Sequence, residues 1–257
     1  MYHLPVSGAK VSLREMTGVE ALLLAEGTES DTELELAIIS RLAEPVSDSS
    51  VPWEELTPTD LDALLLAIRQ TVLGETISGD SSCPHESCGA RVDVSFRVDQ
   101  FLAHQRSRQP DDVESTNEPG WFRLQGSTAT FRLPNAGDLL ATSNQDDPAL
   151  ELIRRCVRPP DEPARSLRRI ERAMDALAPS PPTDLQGACP DCGRDFEFRF
   201  DPREFALREL REQAAFIYED VHLIAQHYGW SEPEILSLPH NRRVRYAELI
   251  RQERGEN

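Results

Sequence analysis

Apolar residues in the N-terminal part of the chain recur at the spacing of helices. Thr17 and Glu20 have the spacing of a capping box ahead of the run VEALLLAE, so we expect a helix to begin there, after a short strand at 11–16. The segments TELELAIISRLAE (32–44) and TPTDLDALLLAIRQTVLG (57–74) suit two further helices. The N-terminal part is therefore predicted to be mainly helical.

Alternation of apolar and polar residues replaces this spacing further along. ARVDVSFRVD (90–99) and FEFRF (196–200) each predict a strand, and WFRLQGSTATFRLP (121–134) predicts a hairpin that turns at Gln125–Thr128. Helices are expected at 135–143, 148–157 and 165–178. The middle of the chain thus combines strands with helices.

A long helix is expected after Asp201. Seven apolar residues follow it in steps of three and four, which places them on one face of a helix about three heptads long. Such a face packs either within the same chain, the commoner arrangement, or against a partner helix. Gly229 is expected to end this helix, and a basic-faced helix is expected at 240–254. The seven residues are Leu207, Leu210, Ala214, Ile217, Val221, Ile224 and Tyr228.

Four of the five cysteines belong to a repeat. Cys83 is followed by proline and Cys88 by glycine, and Cys189 and Cys192 have the same neighbours. Both copies continue with alternating residues and the pattern Phe-Arg-apolar-Asp. The two copies are separated by 100 residues, counted between the second and third cysteines.

This repeat predicts a structural Zn²⁺ site. A turn that ends in Cys-Gly supplies two thiolates, so two such turns supply the four ligands of a tetrahedral ion and leave no open position for catalysis. The predicted ligands are Cys83, Cys88, Cys189 and Cys192. His85 is an alternative ligand within the first turn, and four independent thiols are the alternative to a metal site. The strands that leave the turns would lie side by side, as in a zinc ribbon.

The expected fold class is α+β, mainly helical, with a split zinc-ribbon-like β element that carries a long insertion. The insertion contains the hairpin and several helices, and the C-terminal region is helical. The predicted divisions are an acidic helical region at 1–80, the split ribbon at 81–101 and 185–202, the insertion at 102–184, and the C-terminal region at 203–257.

Charge restricts the possible partners. The 257 residues carry a formal charge of −18, with a pI of about 4.7, which opposes binding to nucleic acid and to anionic membranes. Residues 1–80 hold 15 Asp or Glu against four Lys or Arg, a net of −11, so this region either attracts basic partners or is a solvated acidic surface. Neither a membrane segment nor a secretory signal is recognised, so a reducing cytoplasm is expected.

Motifs of catalysis are missing from the sequence. It contains no Gly-rich phosphate loop, no HExxH and no Gly-x-Ser-x-Gly. His222 and His227 are five residues apart, about 140° around a helix, so they do not share a face for a metal. We therefore expect a protein that is not an enzyme.

Three stretches carry a family resemblance: EDVHLIAQHYGWSEPEILSLPHNRRVRYAELI, the FRLPNAGDLL and LELIRRCV block, and CPDCGRDFEFRFDPREF. Together they resemble baseplate proteins of contractile-tailed bacteriophages and related contractile injection systems, similar to the T-even baseplate hub and hub assembly chaperone family. The resemblance implies a baseplate subunit or an assembly factor, with other baseplate or tail proteins as partners. It also implies a location in the bacterial cytoplasm during assembly, and in the virion tail or injection particle for a subunit.

Two other functions are kept as alternatives. A zinc ribbon can bind nucleic acid, and five arginines at the C-terminus offer a local basic face. A wall-degrading hydrolase is the second alternative, because phage baseplates can carry such enzymes. The five arginines are Arg242, Arg243, Arg245, Arg251 and Arg254.

Overall fold

The chain has the α+β architecture that the sequence predicts, and about half of it is helical. The computed structural model describes residues 1–28, 30–46, 52–103, 107–179 and 184–255. The β structure consists of a three-stranded sheet, a four-stranded sheet and two separate hairpins within these ranges.

Helices and strands are interspersed along the chain. The helices are α1 (Gly18–Glu26), α2 (Asp31–Leu42), α3 (Pro58–Leu73), α4 (Val98–Leu102), α5 (Ala136–Thr142), α6 (Pro148–Cys156), α7 (Ala164–Leu177), α8 (Pro202–Ala214), α9 (Ile217–Tyr228), α10 (Glu232–Leu236) and α11 (His240–Arg254). The strands are β1 (Tyr2–His3), β2 (Lys10–Leu13), β3 (Ala43–Pro45), β4 (Thr76–Ser82), β5 (Arg91–Arg97), β6 (Val113–Ser115), β7 (Trp121–Leu124), β8 (Thr130–Arg132), β9 (Val157–Arg158), β10 (Asp184–Ala188) and β11 (Asp195–Arg199).

Local capping determines where α1 begins. The Glu20 carboxylate accepts a hydrogen bond from the Thr17 amide at 2.9 Å, which confirms the predicted capping box. The next helix, α2, ends at Leu42, before the predicted end. It ends there because Ala43–Pro45 pairs with β2 and forms the third strand of the first sheet.

The main core lies between the N-terminal helices and α8. Almost every residue in the first three turns of α3 is buried, including Leu61, Leu64 and Leu65. Leu207 and Leu210 of α8 belong to the same core, and α8 packs against both α1 and α3. The N-terminal helices and the first part of the C-terminal region therefore fold together.

A buried ionic cluster joins three helices of this core. Arg203 of α8 lies between two carboxylates, with Nε 3.2 Å from Glu35 Oε2 on α2 and Nη2 3.1 Å from Asp62 Oδ1 on α3. Burial raises the pKa of the Glu35 carboxyl to about 8 and that of Asp62 to about 6, although the Arg203 charge opposes both shifts. Neither oxygen of Glu35 has a hydrogen-bond partner among the described residues. When Glu35 is ionised, the nearby Arg203 guanidinium therefore balances the carboxylate charge by electrostatic attraction alone.

A second core lies beneath the four-stranded sheet, whose strands follow the order β6-β7-β8-β9. The predicted hairpin is confirmed as β7 and β8, with Arg123 opposite Thr130. Ile170 and Leu177 of α7 pack against this sheet, with Phe131 among their partners. The sequence pattern did not predict the outer strands β6 and β9, because each has only two or three residues.

The prediction of one long helix after Asp201 is wrong. Ala215 and Phe216 form a turn that separates α8 from α9, and neither residue is a glycine or proline. The main core includes the apolar face of α8 and also Ile217, the first residue after the break, whereas Ile224 packs into a small C-terminal core with Ile235. The expectation that this face packs within the same chain is confirmed, because the main core and the small C-terminal core together cover most of it.

Close contact between α1 and the C-terminal elements predicts the effect of enlarging Gly18. A Cβ at this position would lie 2.8 Å from the Leu236 Cα, which is backbone and cannot rotate away. We expect Gly18→Ala to lower the free energy of unfolding by about 1 to 3 kcal/mol, the usual cost of overpacking. Urea unfolding measures this change.

Val19→Ala is the matched control for this prediction. Val19 belongs to the same turn of α1 but is 45% exposed, so its truncation should have a much smaller effect. Equal stability of the Gly18 and Val19 variants would contradict the close packing of α1 on the C-terminal elements.

The helices are short. The longest of those named above, α3 and α11, have 16 and 15 residues. None of the helices in the described ranges is both long and apolar enough to cross a bilayer.

Candidate metal centre

Each pair of cysteines sits in the turn of its own hairpin. Cys83 follows β4 and Cys189 follows β10, so each copy of the repeat has a strand before its turn as well as after it. β4 pairs with β5 and β10 pairs with β11, in separate two-stranded sheets. The strands that leave the two turns do not pair with each other, contrary to the expected ribbon arrangement.

The two turns have equivalent backbone geometry. The Cys83 amide donates to the Ala90 carbonyl at 2.8 Å, and the Cys189 amide donates to the Arg194 carbonyl at 3.0 Å. Gly89 and Gly193 follow the second cysteine of each turn with φ of +61° and +69°. A left-handed backbone is accessible to glycine at little cost, which explains why each turn ends in Cys-Gly.

The turns bring the four thiols together. Cys83 Sγ lies 3.8 Å from Cys192 Sγ, and Cys88 Sγ lies 3.8 Å from Cys189 Sγ. All four sulfurs are within 4.8 Å of one another. The first cysteine of each turn thus faces the second cysteine of the other, which gives the cluster an approximate twofold symmetry.

These distances fit a tetrahedral metal ion. Zinc binds thiolates at about 2.3 Å, which places neighbouring sulfurs of a tetrahedron about 3.8 Å apart. A disulfide needs about 2.0 Å between sulfurs, so the observed separations are far too long for one. The four cysteines therefore form a cluster that can hold one metal ion through sulfur alone.

The backbone and the neighbouring thiols shift the pKa values within the cluster. The Cys192 amide lowers the pKa of Cys189 to about 7. The His85 amide also lowers the pKa of Cys83, but burial and the other thiols outweigh it and raise this pKa to about 12. Metal ligands must be thiolates, so binding displaces protons and should weaken as pH falls.

Polar contacts across the hairpins support the same arrangement. His85 Nε2 donates to the Asp195 carbonyl at 3.2 Å, and Arg194 Nη2 donates to Ser87 Oγ at 2.6 Å. His85 is not part of the cluster of possible ligands, which contains only cysteines. The histidine thus links the two turns from outside the cluster.

Apolar packing surrounds both ends of the hairpin pair. Val92 and Phe196 occupy equivalent positions, four residues after the second cysteine of each turn, and both are buried against the thiols. At the other end, the Phe200 ring lies 4.9 Å from Phe96 and 5.4 Å from Phe101, measured between centroids. The thiol cluster and this aromatic cluster hold the hairpins at opposite ends.

Other candidate residues lie elsewhere. His227 Nε2 is 3.5 Å from the Glu253 carboxylate, and His222 is exposed. Across the described ranges, the four cysteines are the only group of three or more potential ligands that meets the distance for a shared ion. The fifth cysteine, Cys156, is buried beside Asp138 and away from this group.

The predicted basic face on α11 is largely neutralised by the protein itself. Arg243 is buried with its Nε 3.2 Å from Asp220, and Arg251 pairs with Glu219 at 3.0 Å. Arg245 pairs with Glu248 on its own helix at 3.1 Å. This helix therefore offers little free positive charge for nucleic acid.

Comparison with known proteins supplies two family matches. A family described as T4 bacteriophage base plate protein matches residues 1–159, more than half of the chain. A family of unknown function, DUF6760, matches residues 210–255, which contain most of the small C-terminal core. No curated protein and no solved structure matches the chain.

Proposed function

The chain belongs to the T4 bacteriophage base plate protein family, and from this membership we propose a non-enzymatic role as a structural or assembly component of a contractile tail baseplate. The protein acts through contacts with other baseplate or tail proteins. The match over residues 1–159 is the observation that carries this proposal. The sulfur-only cluster adds support, because four thiolate ligands suit a structural ion and leave no coordination position for a substrate.

In this proposal one Zn²⁺ ion is bound by the four cysteines and has a mechanical role. Cys88 and Cys189 are 101 positions apart in sequence, so an ion between them closes a long loop of chain. The ion fixes the turns of the two hairpins, while the aromatic cluster fixes their other ends. The segments between and after the hairpins are thereby presented to partners in a fixed orientation.

The protein is proposed to be made in the bacterial cytoplasm and to meet its partners there during tail assembly. We expect the tagged full chain, expressed with the neighbouring tail genes, to co-purify with at least one tail protein at constant stoichiometry. Mass spectrometry identifies the partner. The untagged chain serves as the control for non-specific retention.

Purified particles distinguish a subunit from an assembly factor. Constant presence in finished tails identifies a subunit, whereas absence from tails that need the protein for assembly identifies a chaperone. Normal tail assembly in a deletion strain, together with absence of any co-purifying tail protein, would contradict the proposed function.

A further inference from the structure

One face of α7 carries a row of arginines. Arg165, Arg168, Arg169 and Arg172 are spaced at three, four and seven residues, so they lie on the same side of the helix. The apolar side of α7 packs on the four-stranded sheet and leaves this side facing outward. The four side chains line a shallow depression of about 460 Å³, and we call them the arginine stripe.

Most of the stripe has no partner among the residues that the structure describes. Arg169 donates to Asp112 Oδ2 at 3.1 Å and is only half-buried. Arg165, Arg168 and Arg172 are exposed, and no ion pair or hydrogen bond joins their side chains to any other residue in the described part of the chain. The arginines of α11, by contrast, are mostly paired with carboxylates.

The stripe does not stabilise the isolated helix. Like charges three and four residues apart on a helix repel each other and lower its stability. Glu171 and Asp175 follow Arg168 and Arg172 at three residues, but neither forms an ion pair with the stripe within the described ranges, so they offset this repulsion only in part. A row of positive charge on a protein of net charge −18 is thus better explained by an external ligand than by folding.

We propose that the arginine stripe docks a carboxylate-rich segment of another tail protein. This inference rests on the proposed baseplate function and names the chemistry of one partner. Guanidinium groups pair with carboxylates through two parallel hydrogen bonds, so neighbouring arginines can hold successive acidic side chains. α7 lies outside both matched segments, 1–159 and 210–255, so neither family match accounts for this surface.

Charge complementarity selects this occupant over two others. A second copy of the chain also carries −18, and nucleic acid carries one charge per phosphate, so the field of the whole protein repels both. A partner protein that carries a short acidic segment on an otherwise neutral or basic surface is repelled far less by this negative field than a second copy or nucleic acid is. The acidic region at 1–80 can attract the basic part of such a partner while the stripe binds its acidic segment.

Fluorescence anisotropy with a labelled peptide of four glutamates followed by four lysines, which has an acidic segment but no net side-chain charge, tests the inference on the full chain. We expect the triple variant R165Q/R168Q/R172Q to bind this probe about tenfold more weakly than wild type, as the loss of several exposed ion pairs implies. Wild-type binding should weaken between low and high salt, because exposed charges are screened. The matched control R208Q/R242Q/R245Q removes the same charge from exposed positions outside the stripe and should bind like wild type.

Several results would overturn the inference. Equal binding by the two triple variants would show that the stripe is not the site, and so would failure of wild type to bind the peptide. Stripe-dependent binding of duplex DNA in preference to the peptide would identify nucleic acid, and stripe-dependent self-association in sedimentation would identify a second copy. If the peptide test fails while tail proteins still co-purify, the baseplate function stands and only the stripe inference falls.

Discussion

Replacing Cys189 by serine should abolish binding of one Zn²⁺ per chain and lower thermal stability at the same time. Cys189 lies opposite Cys88 across the two hairpins, and the two residues are 101 positions apart in sequence. Loss of the Cys189 thiol therefore opens the long loop that the metal ion closes. A link that closes a loop of this size contributes about 3 to 5 kcal/mol. For a chain of this length the melting temperature should fall by about 10 °C.

Elemental analysis and calorimetry on the same preparations measure both effects. Cys156→Ser is the matched control, because Cys156 is buried but lies outside the cluster and should leave the zinc content at one per chain. A chelator should lower the melting temperature of wild type to that of Cys189→Ser and leave the variant unchanged. A variant that has lost its metal but keeps full stability would disprove the mechanical role of the ion.

Replacing Arg203 by methionine should destabilise the main core by about 3 to 5 kcal/mol at pH 8, where Asp62 is ionised and Glu35 is partly ionised, because it leaves buried carboxylates without their counter-charge. Glu35 and Asp62 both lie against this guanidinium, and no other cation of the described residues forms an ion pair with either. Methionine keeps much of the apolar volume of the side chain, so the loss is mainly electrostatic. Urea unfolding measures the difference from wild type.

The pH dependence provides a second measurement on the same variant. Folding raises the pKa of Glu35 to about 8 and that of Asp62 to about 6, so in wild type their favourable contribution is complete below pH 4 and is lost as pH rises through these values. Removing Arg203 makes ionisation of both groups costlier still. The difference between wild type and variant should therefore be larger at pH 8 than at pH 5.

Arg211→Met is the matched control on the same helix. Arg211 pairs with Asp31 at 2.9 Å, but both side chains are at least one-third exposed, and an exposed pair contributes at most about 1 kcal/mol. Equal effects of the Arg203 and Arg211 variants, or no change of the Arg203 effect with pH, would contradict the role of the buried cluster.

The local parts of the fold follow from short stretches of sequence. The capping box at Thr17 and Glu20, the N-cap at Thr57 and the hairpin of β7 and β8 depend on residues a few positions apart. The four metal-binding candidates can also be predicted locally, because both cysteine turns repeat one short pattern. The resemblance to baseplate proteins also rests on local patterns, and the family match confirms it over residues 1–159, which contain the block at 131–157 but not the two later stretches.

The strands that precede the two cysteine turns, β4 and β10, cannot be recognised from the local sequence pattern. β4 has the sequence TISGDSS, with one apolar residue followed by small and polar ones, so alternation does not mark it as a strand. It forms because β5 pairs with it along its whole length. The same holds for β10, which pairs with β11.

Short stretches of the chain are enough to predict the α+β class, the capped N-terminal helices and the cysteine repeat, because each depends mainly on residues that are near neighbours in sequence. The break between α8 and α9 has no local signal, because Ala215 and Phe216 are not helix-breaking residues. It lies near the point where the apolar face passes from the main core, which still includes Ile217, to the small C-terminal core. Tertiary contacts also determine which of the described arginines pair with carboxylates. Ion pairs form through space, so Asp220 neutralises Arg243 of α11 although the two are 23 positions apart, while within the described ranges Arg165, Arg168 and Arg172 of α7 form no ion pair.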